Sequence, residues 1–289
     1  MNYFLKMIPL FCLIIVACAS RDAGWEKKTE SISLSSSETT KLKKEAMEFW
    51  KNRSIKADLE NALNRFESLH AANPSDIEPL IYLTRGYYFC AEYHHENVAN
   101  KKKYYEKGAS YGEMAMATNA EFKQSVKSGK TVDESLNKLK VTEVPALYWT
   151  AANLGKWAKA TGIAATLKFK TSIKAMVERV ETLDPHYFFG AHDRYWGGYF
   201  AIAPNFAGGD MKKSKVHFDQ SIIEAPDYLG TKVLMAEVYW TKEANKQEFD
   251  KLLKDVLASK ADSHPEIGPE NIMEKKKAEK LLKNINELF

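Results

Sequence analysis

Few side chains in this chain could do chemistry, and their spacing decides what each can do. Gly108-Ala109-Ser110-Tyr111-Gly112 matches the G-x-S-x-G pattern of a nucleophile elbow. An elbow needs a strand before it and a sharp turn at the serine. Ser110 instead lies inside a helical pattern, so a hydrolase is not expected. His94, His95 and Glu96 are adjacent. Neighbours on a helix point about 100° apart, and no H-E-x-x-H follows, so these predict a polar helix end and no zinc site. His186 and His192 lie six positions apart, which suits neither a zinc pair nor a catalytic triad. Neither has a partner that would make it a general base. Gly208-Gly209-Asp210 lacks the following Gly-Lys-Ser/Thr of a phosphate loop. It predicts a structural turn, with Asp210 capping the next helix. No catalytic residue, metal or cofactor is expected.

The positive signal is aromatic. Tyr148, Trp149 and Trp157 share one helix, and Tyr187, Phe188, Phe189, Tyr195, Trp196, Tyr199 and Phe200 crowd another, with His192, Asp193 and Arg194 among them. These could simply fill a core, where each large side chain contributes ~1.5–3 kcal/mol on burial. They could also line a cleft, with Tyr, Trp, His and Arg offering polar groups to a ligand. A helix apolar on several faces must bury all of them or border a cavity. The candidate cleft-lining set is Trp149, His192, Arg194, Tyr195, Trp196 and Tyr199.

The elements that position these residues begin after a targeting segment. Residues 1–17 carry one early cation, Lys6, then an apolar run from Met7 to Ala17. That is shorter than the about 20 residues needed to span a bilayer and fits a secretory signal peptide. Ile15-Val16-Ala17-Cys18 resembles a bacterial lipobox, which makes Cys18 the candidate lipidation site. Multiple acyl chains would hold the chain on a membrane without a transmembrane helix; the alternative is an ordinary signal peptide with an incidental cysteine. Once Cys12 leaves with the signal and Cys18 is acylated, only Cys90 remains, so no internal disulfide is expected. The net charge of +4 is spread over solvated faces and gives no support to nucleic-acid binding.

Residues 18–37 are polar and serine-rich and read as a flexible tether. Helices are predicted at about 39–52, 55–72, 76–93, 98–118, 144–160, 163–183, 187–202, 211–224, 229–242, 246–259 and 269–288, from 3.6-residue periodicity and flanking Pro and Gly. Ala62, Phe66 and Leu69 share one helix face, and Leu80, Leu83 and Tyr87 share the next. This order is that of a 34-residue tetratricopeptide repeat. Pro74, Pro185 and Pro226 are unevenly spaced, so the repeats are degenerate. Residues 121–143 read as a polar insertion on one face. The fold expected is all-α, with residues 38–289 forming one compact array of helical-hairpin repeats.

GGYFAIAPNFAGGD, KVHFDQSIIEAPDY, TKVLMAEVYW and FDKLLKDVL, all within residues 187–257, resemble the T-component (TatT) family of lipoproteins associated with TRAP transporters. A looser likeness extends back to about Thr40. The resemblance implies a periplasmic, non-enzymatic repeat protein that partners a solute-binding component of the transporter. It also implies a homotrimer, with a channel or cleft through each protomer that would take a small apolar ligand. The choice of inner or outer membrane stays open. The competing expectation is a plain scaffold for another envelope protein or peptide, without a ligand passage.

Overall fold

A computed structural model describes residues 21–28 and 30–289; the signal segment and Cys18 lie outside the described residues. Among the described residues there are helices and no strands. Helix α1 (Ser36–Lys51) opens on a capping box, in which Ser35 accepts from the Glu38 backbone and Glu38 accepts from Ser35. Helices α2 (Lys56–Ala72), α3 (Ile77–Tyr93) and α4 (Val98–Met116) follow, the last two started by Asp76 and Asn97 caps. Residues 121–143, read above as a polar insertion, hold α5 (Ala120–Lys127) and α6 (Val132–Ser135). Phe122, Leu136 and Leu139 from this stretch are buried in the core. Its apolar residues are too few to mark a helical face by periodicity, yet they suffice to dock it.

Helices α7 (Val144–Thr161) and α8 (Ile163–Leu183) form a hairpin broken only by Gly162, whose φ of 130° is closed to other side chains. Helices α4 and α7 lie antiparallel and close together: a Cβ at Gly112 would sit 1.9 Å from Thr150 Oγ1, and one at Gly108 would sit 2.4 Å from Asn153. The small residues let the two backbones approach. Helix α9 (Ala191–Ile202) packs on α10 (Met211–Glu224) in the same way, with Gly197 against the face of Phe218. Then come α11 (Leu229–Met235) with a π-helical turn over Ala236–Trp240, α12 (Lys246–Ala258), α13 (Gly268–Lys283) and α14 (Ile285–Leu288).

The last long helix, α13, returns to the first three helices. Met273 of α13 packs into the cluster formed by α1, α2 and α3 around Trp50, Leu63 and Phe89. A buried charge seam lies beside it. Glu270 of α13 takes Arg53, from the corner between α1 and α2, and Arg85 of α3, the latter at 2.8 Å. A second polar centre follows along α13. Glu92 meets Lys156 at 2.8 Å and Lys277 at 3.5 Å and accepts from Tyr105 at 2.6 Å. Burial alone would raise the Glu92 carboxyl; the two lysines and these hydrogen bonds outweigh it and hold the carboxyl far below the carboxylate range.

The Gly208-Gly209-Asp210 turn joins α9 to α10, and its two glycines work differently. Gly208 takes a left-handed φ of 95°, whereas a Cβ on Gly209 would meet the Ala203 carbonyl at 1.9 Å. Asp210 accepts from the Lys212 and Lys213 backbone at 3.0 and 3.1 Å. Asp210→Ala is expected to cost ~0.5–2 kcal/mol, as lost caps do, read as a lower thermal midpoint with partner binding kept by the folded fraction. Lost binding at an unchanged midpoint would make the turn a contact site.

Part of the stretch read as a tether is held against the fold. Arg21 donates to Glu113 of α4 at 2.6 and 2.9 Å and to Ser110 at 3.0 Å, and the Gly24 backbone N–H donates to Glu113 at 2.6 Å. Trp25 then meets Phe122 edge-on at 5.9 Å. A buried carboxylate needs such partners, and the strap Arg21–Lys28 supplies them.

Candidate functional site

The cleft of interest is built around an unusual turn. Sequence periodicity starts the aromatic helix at residue 187, but α9 begins at Ala191. Phe188, Phe189 and Gly190 instead take φ of 46°, 57° and 67°. Left-handed backbone costs a bulky residue roughly 1–2 kcal/mol, so two phenylalanines in succession need compensation. Arg194 supplies it. Its guanidinium donates to the carbonyls of Phe189 at 2.8 Å and Phe188 at 3.2 Å, to the Tyr148 hydroxyl at 3.2 Å, and lies 4.2 Å over the Tyr228 ring. The turn is thereby locked, and both phenyl rings project where a regular helix would not send them.

Those rings form one wall of a cleft of about 530 Å³ that opens to solvent. Helix α3 contributes Ile81, Tyr82 and Arg85, α7 contributes Pro145 and Trp149, and the turn contributes His186 to Phe189. The end of α10 adds Glu224 and Ala225, and Glu266 enters just ahead of α13. Trp149 packs against Phe188 and Tyr148, each at 4.9 Å between ring centres, and against Tyr88 at 5.4 Å. Arg85 lies beneath, 4.5 Å over Phe188 and 5.5 Å over Trp149, already committed to Glu270 and Glu266. Burial raises the Tyr187 hydroxyl well above its ordinary value, so it stays protonated and able to donate. This is an aromatic slot of small-ligand size with a few polar groups at its edge.

Of the six residues proposed from sequence to line a cleft, Trp149 does so here. Arg194 holds the turn behind it. His192 lies 3.5 Å from Asp193 and 3.8 Å from Glu181, away from the slot. Tyr195, Trp196 and Tyr199 pack towards α8, where Lys174 rides over Trp196 at 5.4 Å and over Tyr199 at 5.7 Å. The Tyr199 hydroxyl donates to the Ala207 carbonyl at 2.9 Å and braces the loop before Gly208. Sequence reading missed Arg85, Tyr82, Glu224 and Glu266. Arg85 alone left a signal, a single cation inside the apolar run IYLTRGYYFC.

The remaining chemical candidates are occupied otherwise. Ser110 is buried mid-helix and accepts from Arg21 and Lys27 at 3.0 and 2.8 Å. His94 bonds the Arg53 carbonyl at 3.0 Å, and His95 stacks on Tyr104. Among the described residues, no three His, Cys, Asp or Glu are placed to hold a metal. No described helix is long and apolar enough to cross a membrane.

A family model described as TRAP transporter T-component matches residues 55–289. No curated protein matches the chain. The matched span runs from the residue before α2 to the end of the chain and so takes in the whole cleft, the Gly208 turn, and Arg85 and Glu270 of the charge seam, with Arg53 just ahead of it. With four-fifths of its length covered, the chain belongs to the TRAP transporter T-component family.

Proposed function

We propose that this protein is a lipid-anchored periplasmic T-component that binds the solute-binding component of a TRAP transporter and holds a small apolar ligand in the aromatic slot. The family role as a non-catalytic, transporter-associated accessory component is established by the match. The finer reading adds acylation at Cys18, removal of residues 1–17, a degenerate tetratricopeptide-like array over residues 38–289, and assembly as a homotrimer. The observation that carries the ligand reading is the locked Phe188–Phe189 turn. Strained backbone persists where surrounding structure over-determines it, and it clusters at ligand clamps. Here Arg194 spends its hydrogen bonds on that turn, and the product is a slot walled by Tyr82, Trp149, Tyr187, Phe188 and Phe189.

The test uses the acylated full-length chain for affinity capture from envelope extract, with mass spectrometry of captured proteins and of released small molecules. A TRAP solute-binding component together with an apolar molecule supports the reading. Capture of an unrelated envelope protein, with no small molecule, would make this a scaffold. Anchoring is tested separately. Cys18→Ala is expected to abolish acyl labelling and release the protein from membranes, whereas equal labelling of variant and parent would refute lipidation at Cys18.

A further inference from the structure

The docked N-terminal strap has a direction. Arg21 lies 6.0 Å from the ring of Trp157, near the end of α7, whereas Trp25 lies against Phe122 of α5. The first described residue therefore reaches the C-terminal part of α7, beside the α7–α8 corner. Cys18 is three positions before Arg21, a reach of at most roughly 11 Å. An acyl anchor at Cys18 thus places the corner at the bilayer surface.

The corner's side chains suit that position. Ile163 and Leu167, 81% and 65% exposed, lie one turn apart on the same face of α8. Lys159 and Lys168 beside them are exposed, and Lys102 lies over the Trp157 ring at 5.9 Å. From Val144 to Val177 the hairpin holds no Asp or Glu and five lysines, of which Lys156 is taken by Glu92. Exposed apolar side chains among lysines, without acids, are what the headgroup region of an anionic leaflet takes up.

We infer that the α7–α8 corner is a bilayer-contact surface: the strap Arg21–Lys28 holds it against anionic lipid, with Ile163 and Leu167 entering the headgroup layer. The inference rests on acylation at Cys18 as proposed above. It turns the anchor from a loose leash into a fixed mount, and so sets the orientation of the whole domain on the membrane.

The test places an environment-sensitive fluorophore at Ile163→Cys in the acylated full-length protein, on vesicles of phosphatidylethanolamine and phosphatidylglycerol. Ile223→Cys on α10, where the parent residue is 73% exposed, is the reference. Cys90 is buried and its thiol is pushed up to about 12, so it stays unlabelled at neutral pH. The expected result is a blue shift and loss of iodide quenching at position 163 only. A protein that floats with the vesicles yet is quenched equally at both positions overturns the inference and leaves the anchor standing. A chain that carries no acyl group and does not float removes both. Energy transfer between labelled copies at position 163 would mean that a second copy covers the corner, and would overturn it as well. Glu113→Gln, which frees the strap, is expected to restore quenching at 163 with the helical spectrum unchanged; unchanged protection would overturn the strap's part.

Discussion

Glu270→Ala is expected to lower the unfolding free energy by about 3–5 kcal/mol, the cost of breaking a buried ion pair from one side. Glu270 is 3% exposed and lies between Arg53 and Arg85, which are 2% and 8% exposed. Removing the carboxylate leaves two buried guanidinium groups facing one another, with the half-exposed Glu266 carboxylate on Arg85 as the remaining counter-charge. Arg53 keeps the Trp50 and Glu266 carbonyls, and Arg85 keeps Glu266, so the loss is of charge balance more than of hydrogen bonds. Glu270→Gln keeps the shape and separates the two effects: if charge balance dominates, it falls close to the alanine variant. The pH dependence follows from the same geometry. Burial raises the Glu270 carboxyl, but Arg85 and Arg53 outweigh it and hold the carboxyl below its ordinary value. Its contribution is therefore complete above the unfolded value of about 4.3 and is lost as pH falls through the folded one. Urea denaturation of parent and variant at neutral and acid pH should show the gap narrowing on acidification. A variant within 1 kcal/mol of the parent, by about the uncertainty of such measurements, would mean the seam is solvated and does not close the array.

Trp149→Ala should have the second large effect, ~3–5 kcal/mol, as aromatic-to-alanine core changes do. The ring is 4% exposed and touches Tyr88, Tyr148 and Phe188 as well as Arg85. Its loss would leave a void beneath the Phe188 wall and remove one of the aromatic rings that line the slot. Two measurements together decide its role: chemical denaturation, and titration with an apolar fluorescent probe. Large destabilisation with lost probe binding in the folded protein makes Trp149 both core and slot wall. Destabilisation with undiminished probe binding would place the probe elsewhere and remove the slot as the ligand site.

The helices were readable from the sequence because their signals are local. Ser35, Asp76, Asn97 and Asp210 are caps by residue type, and the apolar faces of α2 and α3 repeat at helical spacing. The Tyr187–Gly190 turn was not readable. Aromatic residues from 187 onward continue a helical pattern, and what turns Phe188 and Phe189 out of it is Arg194, acting through backbone carbonyls. Arg194 was recognised as important, but as a ligand group; a single sequence cannot show that its donors point backwards. The strap over 21–28 was missed because its partner is Glu113, one acid among many in a charged chain and marked out only by burial. The glutamates that reach Arg85 lie 181 and 185 positions away in sequence, which no periodicity reveals.

Closure by α13 changes what kind of object the array is. Stacked hairpins that meet only their neighbours can fold from any point and fray from either end. Here Arg53 waits for a carboxylate 217 positions downstream, so the first hairpin cannot complete its own interior until nearly the whole chain has emerged. The last long helix acts as a keystone. Its Glu270 holds Arg85 of α3 and its Asn271 holds the segment after α10 through the Asp227 carbonyl, so a chain cut short before residue 270 would keep the residues that line the slot and lose the helix that sets their spacing.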